Sequence, residues 1–362
     1  MGKSRVYLDD AGSVPILREV TEALRDVSAG NASSPHSEGR SARATLDRAR
    51  DVSASALGAA RTEITFVSSG TEAINLALFG AGGPLVTWAA EHQSVLGPAR
   101  HQQLRGREVV IASVDSDGRV DVDAIVRGTA LVSIGLANNE VGTIQPVAAA
   151  IERAHDVGAL VHVDACAGPR WIEIPDGADL VSLSGHKLGA GRGGLLYVRD
   201  GVRIDPLLFG GPQEWGRRAG HEDVAAAVAI STALSTAVTQ RAARSEAARR
   251  HSERLRSVLT DIGATLTGAE ERLPNFASAV LPGRKGEDML MALDLEGIAA
   301  SSGSACASGS LDPSHVLLAM GFSLEDSLGS LRLSTGYATT DDELERAAEI
   351  LMRVLSRSRA HA

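Results

Sequence analysis

Short apolar, β-prone runs alternate with stretches of helical period through the first half of the chain. EITFVSSG (63–70) leads into TEAINLALFG (71–80), PLVTWAAEH (84–92) into SVLGPARHQQL (94–104), EVVIASV (108–114) into DVDAIVRG (121–128), and ALVSIGLANNEVG (130–142) into VAAAIERAHDVG (147–158). Three more β-prone runs follow, LVHVDACAGPR (160–170), LVSLSGHKLGAGRG (180–193) and GLLYVRD (194–200), with no helical stretch between the first two. Continuous apolar runs of this length suit strands buried on both faces, and the stretches between them carry the 3.6-residue stripe of a helix. The alternation predicts an α/β fold with a mainly parallel sheet covered by helices on both sides. Ligands of such sheets gather at the carboxyl ends of the strands. Residues 68–71, Glu91, His92, residues 138–140, Asp164 and residues 184–187 fall at those ends.

The opening VYLDDAGSVPI reads as a short strand and a turn at Pro15, followed by a helix over 15–27. The glycine-rich, polar segment 30–42 reads as a loop, and 42–57 as a helix with Arg43, Asp47, Arg48 and Arg50 on its wet side. After Gly210 the loop GGPQEWGRRAGHED feeds an alanine-rich helix over 224–262, whose six arginines between Arg241 and Arg256 read as a solvated face. From Ala264 onward, short strands at 278–283, 297–303 and 330–335 alternate with helices. One helix is expected to start with Asp312 as cap and Pro313 at its first position, another with a capping box of Thr340 and Glu343. The pattern implies a large domain over 13–240 and a smaller α+β domain made of 1–12 and 241–362.

Composition narrows the possibilities. A chain of 362 residues, 44% apolar and 22% charged, is a soluble globular protein with room for a large core. Its net charge of −9 argues against nucleic acid or an anionic membrane as a direct partner. The longest nearly apolar run, 224–238, is broken by serines and threonines and is too short to span a bilayer. The start of the chain carries no leader pattern, and two cysteines make no disulfide framework, so a reducing cytoplasm is the expected setting.

Lysine usage points to the chemistry. The chain contains only Lys3, Lys187 and Lys285, although arginine is plentiful, and Lys187 alone follows a buried strand. Lysine can lose its proton and condense with a carbonyl, which arginine cannot. A lysine Schiff base suggests pyridoxal 5′-phosphate, which needs an acid for its ring nitrogen, a phosphate cradle and support for its ring. Asp164 ends an apolar strand and would need a cationic partner there. The turn SSGT before a helix offers backbone N–H groups to a phosphate. Ser184 and His186 could add donors, and His92 could lie on the ring. Each of these features alone has an ordinary structural explanation, and their joint placement around a rare lysine carries the argument.

Cys306 sets the reaction class. It lies in ASSGSACASGS (300–310), a run of small residues with nothing bulky to bury, where a retained thiol suggests a nucleophile. Cys166, beside an apolar strand, reads instead as a small buried hydrophobe. Together with GNASSPHSEGR, FVSSGTEAINLAL, EHQSVL, ANNEVGTIQPV, HVDA, SGHKLGAGRGGLLYV, SSGSACASG and SLRLSTG, these features resemble the cysteine desulfurases of the class V aminotransferase family, in the group with a long mobile cysteine loop. The motifs span nearly the whole chain in order, and SGHK with SSGSAC is highly specific.

The resemblance implies a fold type I pyridoxal phosphate enzyme whose large domain holds a seven-stranded sheet. It implies Lys187 as the Schiff-base lysine, Asp164 as the ring-nitrogen partner, His92 as the stacking residue, and Gly70, Thr71, Ser184 and His186 at the phosphate. Asn139 would touch cofactor or substrate, Arg332 would hold the substrate carboxylate, and Cys306 would carry a persulfide. No metal is implied. L-cysteine is the implied substrate, with a sulfur-acceptor protein and a second copy of the chain as partners. Two positions depart from the family: Ala167 stands where a glutamine usually bonds the cofactor, and His221 where a threonine usually reaches the phosphate across a dimer interface. Those departures keep two other readings open: a C–S or selenocysteine lyase, or a non-turning-over sulfur-transfer scaffold.

Overall fold

The computed structural model describes residues 5–27, 30–303 and 313–356. The chain opens with β1 (Val6–Tyr7), α1 (Arg18–Leu24) and α2 (Ser37–Ala56). It then alternates as the apolar pattern predicts, through β2 (Ile64–Val67), α3 (Gly70–Gly80), β3 (Leu85–Trp88), α4 (Gln93–Leu104), β4 (Val109–Ala112), β5 (Leu131–Gly135), α5 (Val147–Asp156) and β6 (Leu160–Asp164). β7 (Leu180–Ser184) follows without an intervening helix, and one helical turn, α6 (Gly185–Leu188), precedes β8 (Gly194–Val198). These strands form one seven-stranded sheet in the order β2-β8-β7-β6-β5-β3-β4. All neighbours are parallel except β8, which runs against both β2 and β7. The expected α/β fold with its mainly parallel sheet is what the chain forms. Successive strand residues enter different apolar clusters, Val132 with Trp88 and Val163, Leu131 with Ile74 and Leu180, as a period of two requires.

The rest of the chain runs through α7 (Val224–Asp261), β9 (Thr265–Leu266), β10 (Phe276–Val280), α8 (Gly286–Leu295), β11 (Ile298–Ala299), α9 (His315–Ala319), α10 (Leu324–Leu328), β12 (Ser330–Ser334) and α11 (Asp341–Ser356). β12, β10 and β9 make an antiparallel sheet, and β11 pairs in parallel with β1. A third apolar cluster joins Val6 and Leu8 to Leu255, Leu293, Leu333 and Leu351. The long α7 enters two clusters: Ala227 to Ala237 lie against the large sheet, while Leu255, Val258 and Leu259 lie in the C-terminal cluster. No helix among the described residues is long and apolar enough to cross a membrane.

Several local expectations are corrected. The helix expected over 15–27 is shorter, Arg18–Leu24. The loop expected over 30–42 gives way at Ser37 to α2, because the His36 imidazole caps it, Nδ1 accepting from the Gly39 N–H at 3.2 Å. The helix expected in 121–128 is a single 3-10 turn, Val122–Ala124. Asp312 lies outside the described residues, and α9 is capped by Ser314, whose Oγ accepts from the Leu317 N–H, so Pro313 precedes the cap. The Thr340–Glu343 capping box is present. Of the six arginines of α7, only Arg249 and Arg250 are exposed; Arg241 donates to the Pro169 carbonyl and Arg244 lies 3.7 Å over the Tyr337 ring.

The largest correction concerns Arg50, which is 2% exposed rather than on a wet face. Its guanidinium makes two 2.7 Å bonds to the Glu214 carboxylate and one to the Ile64 carbonyl, while Glu214 accepts from the Phe66 N–H. Arg50 also lies against the rings of Phe66 and Trp215. This pair holds the loop 210–223 to β2, and Glu214 and Trp215 adopt left-handed backbone with φ of 49° and 61°. Such conformations persist in non-glycine residues only where surrounding contacts over-determine them.

Inside the sheet, polar side chains on three adjacent strands are linked. Ser133 Oγ lies 2.9 Å from His162 Nδ1, His162 Nε2 lies 3.1 Å from Ser182 Oγ, and Ser182 donates to Asp164 Oδ1 at 3.5 Å. Burial holds the His162 pKa down at about 4, so the ring is neutral and can accept on one nitrogen while donating on the other.

Two outcomes are expected. Glu214→Ala leaves the Arg50 charge buried without its partner, and chemical denaturation should show a loss of about 3–5 kcal/mol. His162 binds its proton more readily unfolded, at about pH 6.5, than folded, so its contribution is present above that pH and is lost as pH falls to about 4. His162→Gln should remove roughly 3 kcal/mol of that acid-side loss, read as a flatter stability profile between pH 7 and 4.

Candidate active site

A cavity of about 420 Å³ opens where the carboxyl ends of β2, β3, β5, β6 and β7 meet the N-terminal segment. Gly70, Thr71, His92, Asn139, Asp164, Ser184, His186, Lys187 and Arg332 all line it. The structure thus brings together every expected site residue but two. Cys306 lies outside the described residues, although Gly303 reaches the cavity wall. His221 does not line this cavity; it is exposed on the loop before α7 and lines a separate one with Ser68, Arg192 and Arg218.

Backbone proximity creates the site. The turn carrying Lys187 folds on itself through hydrogen bonds from Gly185 N–H to the Gly193 carbonyl and from Ala190 N–H to the Gly185 carbonyl. A Cβ at position 185 would lie 2.2 Å from the Arg192 oxygen, and one at 194 would lie 2.3 Å from the Ser69 carbonyl, so both positions require glycine. Val14 N–H donates to the His186 carbonyl and Leu17 N–H to that of Gly189, which ties the N-terminal segment to the same turn. Ser69 caps α3 by accepting from the Glu72 N–H, leaving the first N–H groups of that helix at the cavity.

The charged groups are deliberately placed. Asp164, 7% exposed, accepts at Oδ1 from the Cys166 N–H at 2.9 Å as well as from Ser182. Ser184 Oγ lies 2.9 Å from His186 Nδ1, and burial followed by the Lys187 charge lowers the His186 pKa. His92 caps α4, its Nδ1 accepting from the Ser94 N–H at 3.1 Å. Burial, then the Lys187 charge, brings the His92 pKa down to about 4, so its ring is neutral near pH 7. Arg332, 2% exposed, donates at 2.7 Å both to the Asn139 carbonyl and to Asp9, and its Nε is buried without a partner among the described residues. A guanidinium anchored in this way and left with a spare donor is ready for an anionic ligand.

These features fit pyridoxal phosphate. Position 70 has no room for a side chain, since a Cβ would meet Cys166 Sγ at 2.6 Å and Ser184 Cβ at 2.8 Å, and the backbone is thereby left bare at a helix N-terminus. Lys187 and Asp164 face the same cavity, and among the described residues Arg332 keeps an unused donor. Ala167 also lines the cavity, and its side chain offers no polar atom there. Sequence reasoning left Glu91, Asp9 and Asn138 without a role; all three line the cavity, Asp9 through its ion pair with Arg332 and Asn138 by accepting from the Glu140 and Val141 N–H groups. The acidic pair after β1 was the available signal for Asp9. Cys166, read as a small buried hydrophobe, is instead half-buried: it packs against an apolar cluster and also lines the cavity, and burial followed by the Asp164 charge pushes its thiol pKa well up.

Known proteins resemble this chain in sequence and fold. The cysteine desulfurase IscS of Dictyoglomus turgidum is 37% identical over 381 residues, covering 99% of this chain and 96% of its own. Among solved structures, a NifS-like protein superposes with a TM-score of 0.90 at 31% identity, over 97% of this chain and 99% of its own. A structure described as SspA in complex with cysteine superposes with a TM-score of 0.80 at 28% identity, over 92% of this chain and all of its own. The description "Aminotransferase class-V" matches residues 6–347. With that match over nearly its whole length, the chain belongs to the class V aminotransferase family.

Proposed function

We propose that this chain is a pyridoxal 5′-phosphate-dependent cysteine desulfurase that converts L-cysteine to L-alanine and passes the sulfur to Cys306 as a persulfide. The observation that carries the reading is the convergence of Lys187, Asp164, His92 and the anchored Arg332 on one cavity in a family of pyridoxal phosphate enzymes. Relatives named cysteine desulfurase and a related structure with cysteine bound support the substrate.

When bound, the cofactor supplies a carbonyl for condensation with an amine and an electron sink for bonds at the amino acid's Cα. Lys187 supplies the amine that tethers it and, once displaced by substrate, a base for the Cα proton. Asp164 holds the proton of the ring nitrogen, its charge stabilised by the Cys166 and Ser182 donors. Gly70, Thr71, Ser184 and His186 hold the phosphate, His92 supports the ring, and Asn139 lies beside cofactor and substrate. Arg332 binds the substrate carboxylate and so orients the thiol away from it. The Cys306 thiolate attacks the substrate sulfur; an S–S bond forms, the C–S bond breaks, the released electron pair takes up a proton at Cβ, and Lys187 returns the proton it took to Cα, which gives alanine.

The chain works as a homodimer in this reading. The loop 207–215 exposes Leu208, Phe209 and Trp215, and His221 lies beyond the chain's own cavity, where it serves the partner's phosphate. The separate C-terminal cluster supports a division into a large domain over 13–240 and a small one made of 1–12 and 241–362. A reducing cytoplasm, where Cys306 stays free and a sulfur-acceptor protein is at hand, completes the reading.

Cys306→Ala should retain cofactor absorbance and lose both persulfide and sulfide release, measured by thiol-specific labelling and a sulfide assay; sulfide release at the native rate would remove Cys306 from the reaction. In the native protein, L-cysteine should yield alanine in step with sulfur, whereas pyruvate and ammonia would identify a C–S lyase. Arg332→Lys loses the paired donors, and KM for cysteine should rise at least 10-fold.

A further inference from the structure

Glu91 lines the central cavity, yet the reaction above gives it no part. It follows β3, is 7% exposed, and among the described residues its carboxyl makes one hydrogen bond, from the Gly135 N–H to Oε1 at 3.0 Å. Its surroundings are set by the missing side chain at position 135. Gly135 and Asp164 are directly paired across β5 and β6, so a side chain at 135 would stand beside that of Asp164 on the same face. The Glu91 carboxyl lies against that place, since a Cβ on Gly135 would be 3.0 Å from Oε2. Neighbouring strands are about 4.8 Å apart, so the Glu91 carboxyl, against Gly135, is a near neighbour of Asp164, whose charge it feels.

Two negative charges so placed do not both persist in a buried site; one proton stays on the pair. The members are not equivalent. Asp164 accepts from a backbone N–H and a serine hydroxyl, and Glu91 from one N–H. The charge therefore settles on Asp164, the better solvated of the two. Burial first, and then the field of Asp164, push the Glu91 pKa up to about 8 against the pull of the Gly135 N–H. Of the other titratable groups nearby, His315 Nε2 meets the backbone carbonyl of Glu91 at 2.9 Å, and His92 and Lys187 line the same cavity.

The geometry points to Glu91 as a positioning residue for Asp164: a carboxyl kept protonated beside it, which confines the pair's single negative charge to Asp164. That the charge then serves a ring nitrogen rests on the function proposed above. The shared proton does not, and it can be tested without cofactor or substrate.

Infrared difference spectra of the cofactor-free full chain against Glu91→Gln at pH 7 should contain a protonated-carboxyl stretch that the variant lacks. The band should fade in the wild type as pH rises through about 8. In Asp164→Asn the like charge is gone, and the midpoint of that titration should fall by roughly one pH unit. Absence of the band at pH 7 would overturn the proposal, as would a midpoint that Asp164→Asn leaves in place. Should Glu91→Gln fail to fold, carboxyl-labelled glutamate NMR of the wild type decides the matter, since a glutamate titrating near 8 must be present. An inactive protein that shows the band and its shift would refute the desulfurase reading and leave the shared proton standing.

Discussion

Lys187 is held in place by the contact of two turns through bare backbone. The approaches at 185 and 194, each under 2.4 Å to where a Cβ would be, are closer than any side chain tolerates. A single methyl at either position would drive the α6 turn away from β8 or β8 away from the start of α3. Ser184, His186 and Lys187 on one side and Gly70 and Thr71 on the other converge because nothing stands between the segments that carry them. The cluster of cavity-lining side chains is thus a product of absent atoms as much as of present ones, and the hydrogen bonds from Val14 and Leu17 extend the same assembly to the N-terminal segment.

The electrostatic design is built into the strands behind that assembly. Polar residues borne by three adjacent strands pass hydrogen bonds from Ser133 through His162 and Ser182 to Asp164, so the carboxyl that faces the cavity is supported by protein donors from behind. Charge is admitted where donors have been prepared for it and is otherwise suppressed, as the neutral rings of His92 and His162 show. Preorganised dipoles of this kind need no rearrangement when charge develops during a reaction.

Much of this was legible in the chain. Strand and helix alternate with distinct apolar periods, and a rare lysine after a buried run marks the site, because period and composition are local properties. What escaped was non-local. Arg50 reads as a wet-face residue because its partner, Glu214, lies 164 positions away and only folding brings them together. The start of α2 was missed because a histidine serves as its cap, an uncommon choice for that position. Glu91 stood in plain view at a strand end, but its meaning depends on Gly135 and Asp164, which reach it only through the order of strands in the sheet.

The parallel pairing of β1 with β11 bears on how the protein is made. Val6 leaves the ribosome long before its partner, Ile298, with which it pairs in parallel. At roughly 5–20 residues per second, the first strand waits about 15–60 s for its place in a sheet. During that interval the apolar Val6 and Leu8, fully buried in the finished fold, have no cluster to enter. The large sheet can assemble meanwhile from contiguous segments. Synthesis therefore imposes an order in which the cavity floor is laid first and Asp9, the anchor of Arg332, arrives with the last strands.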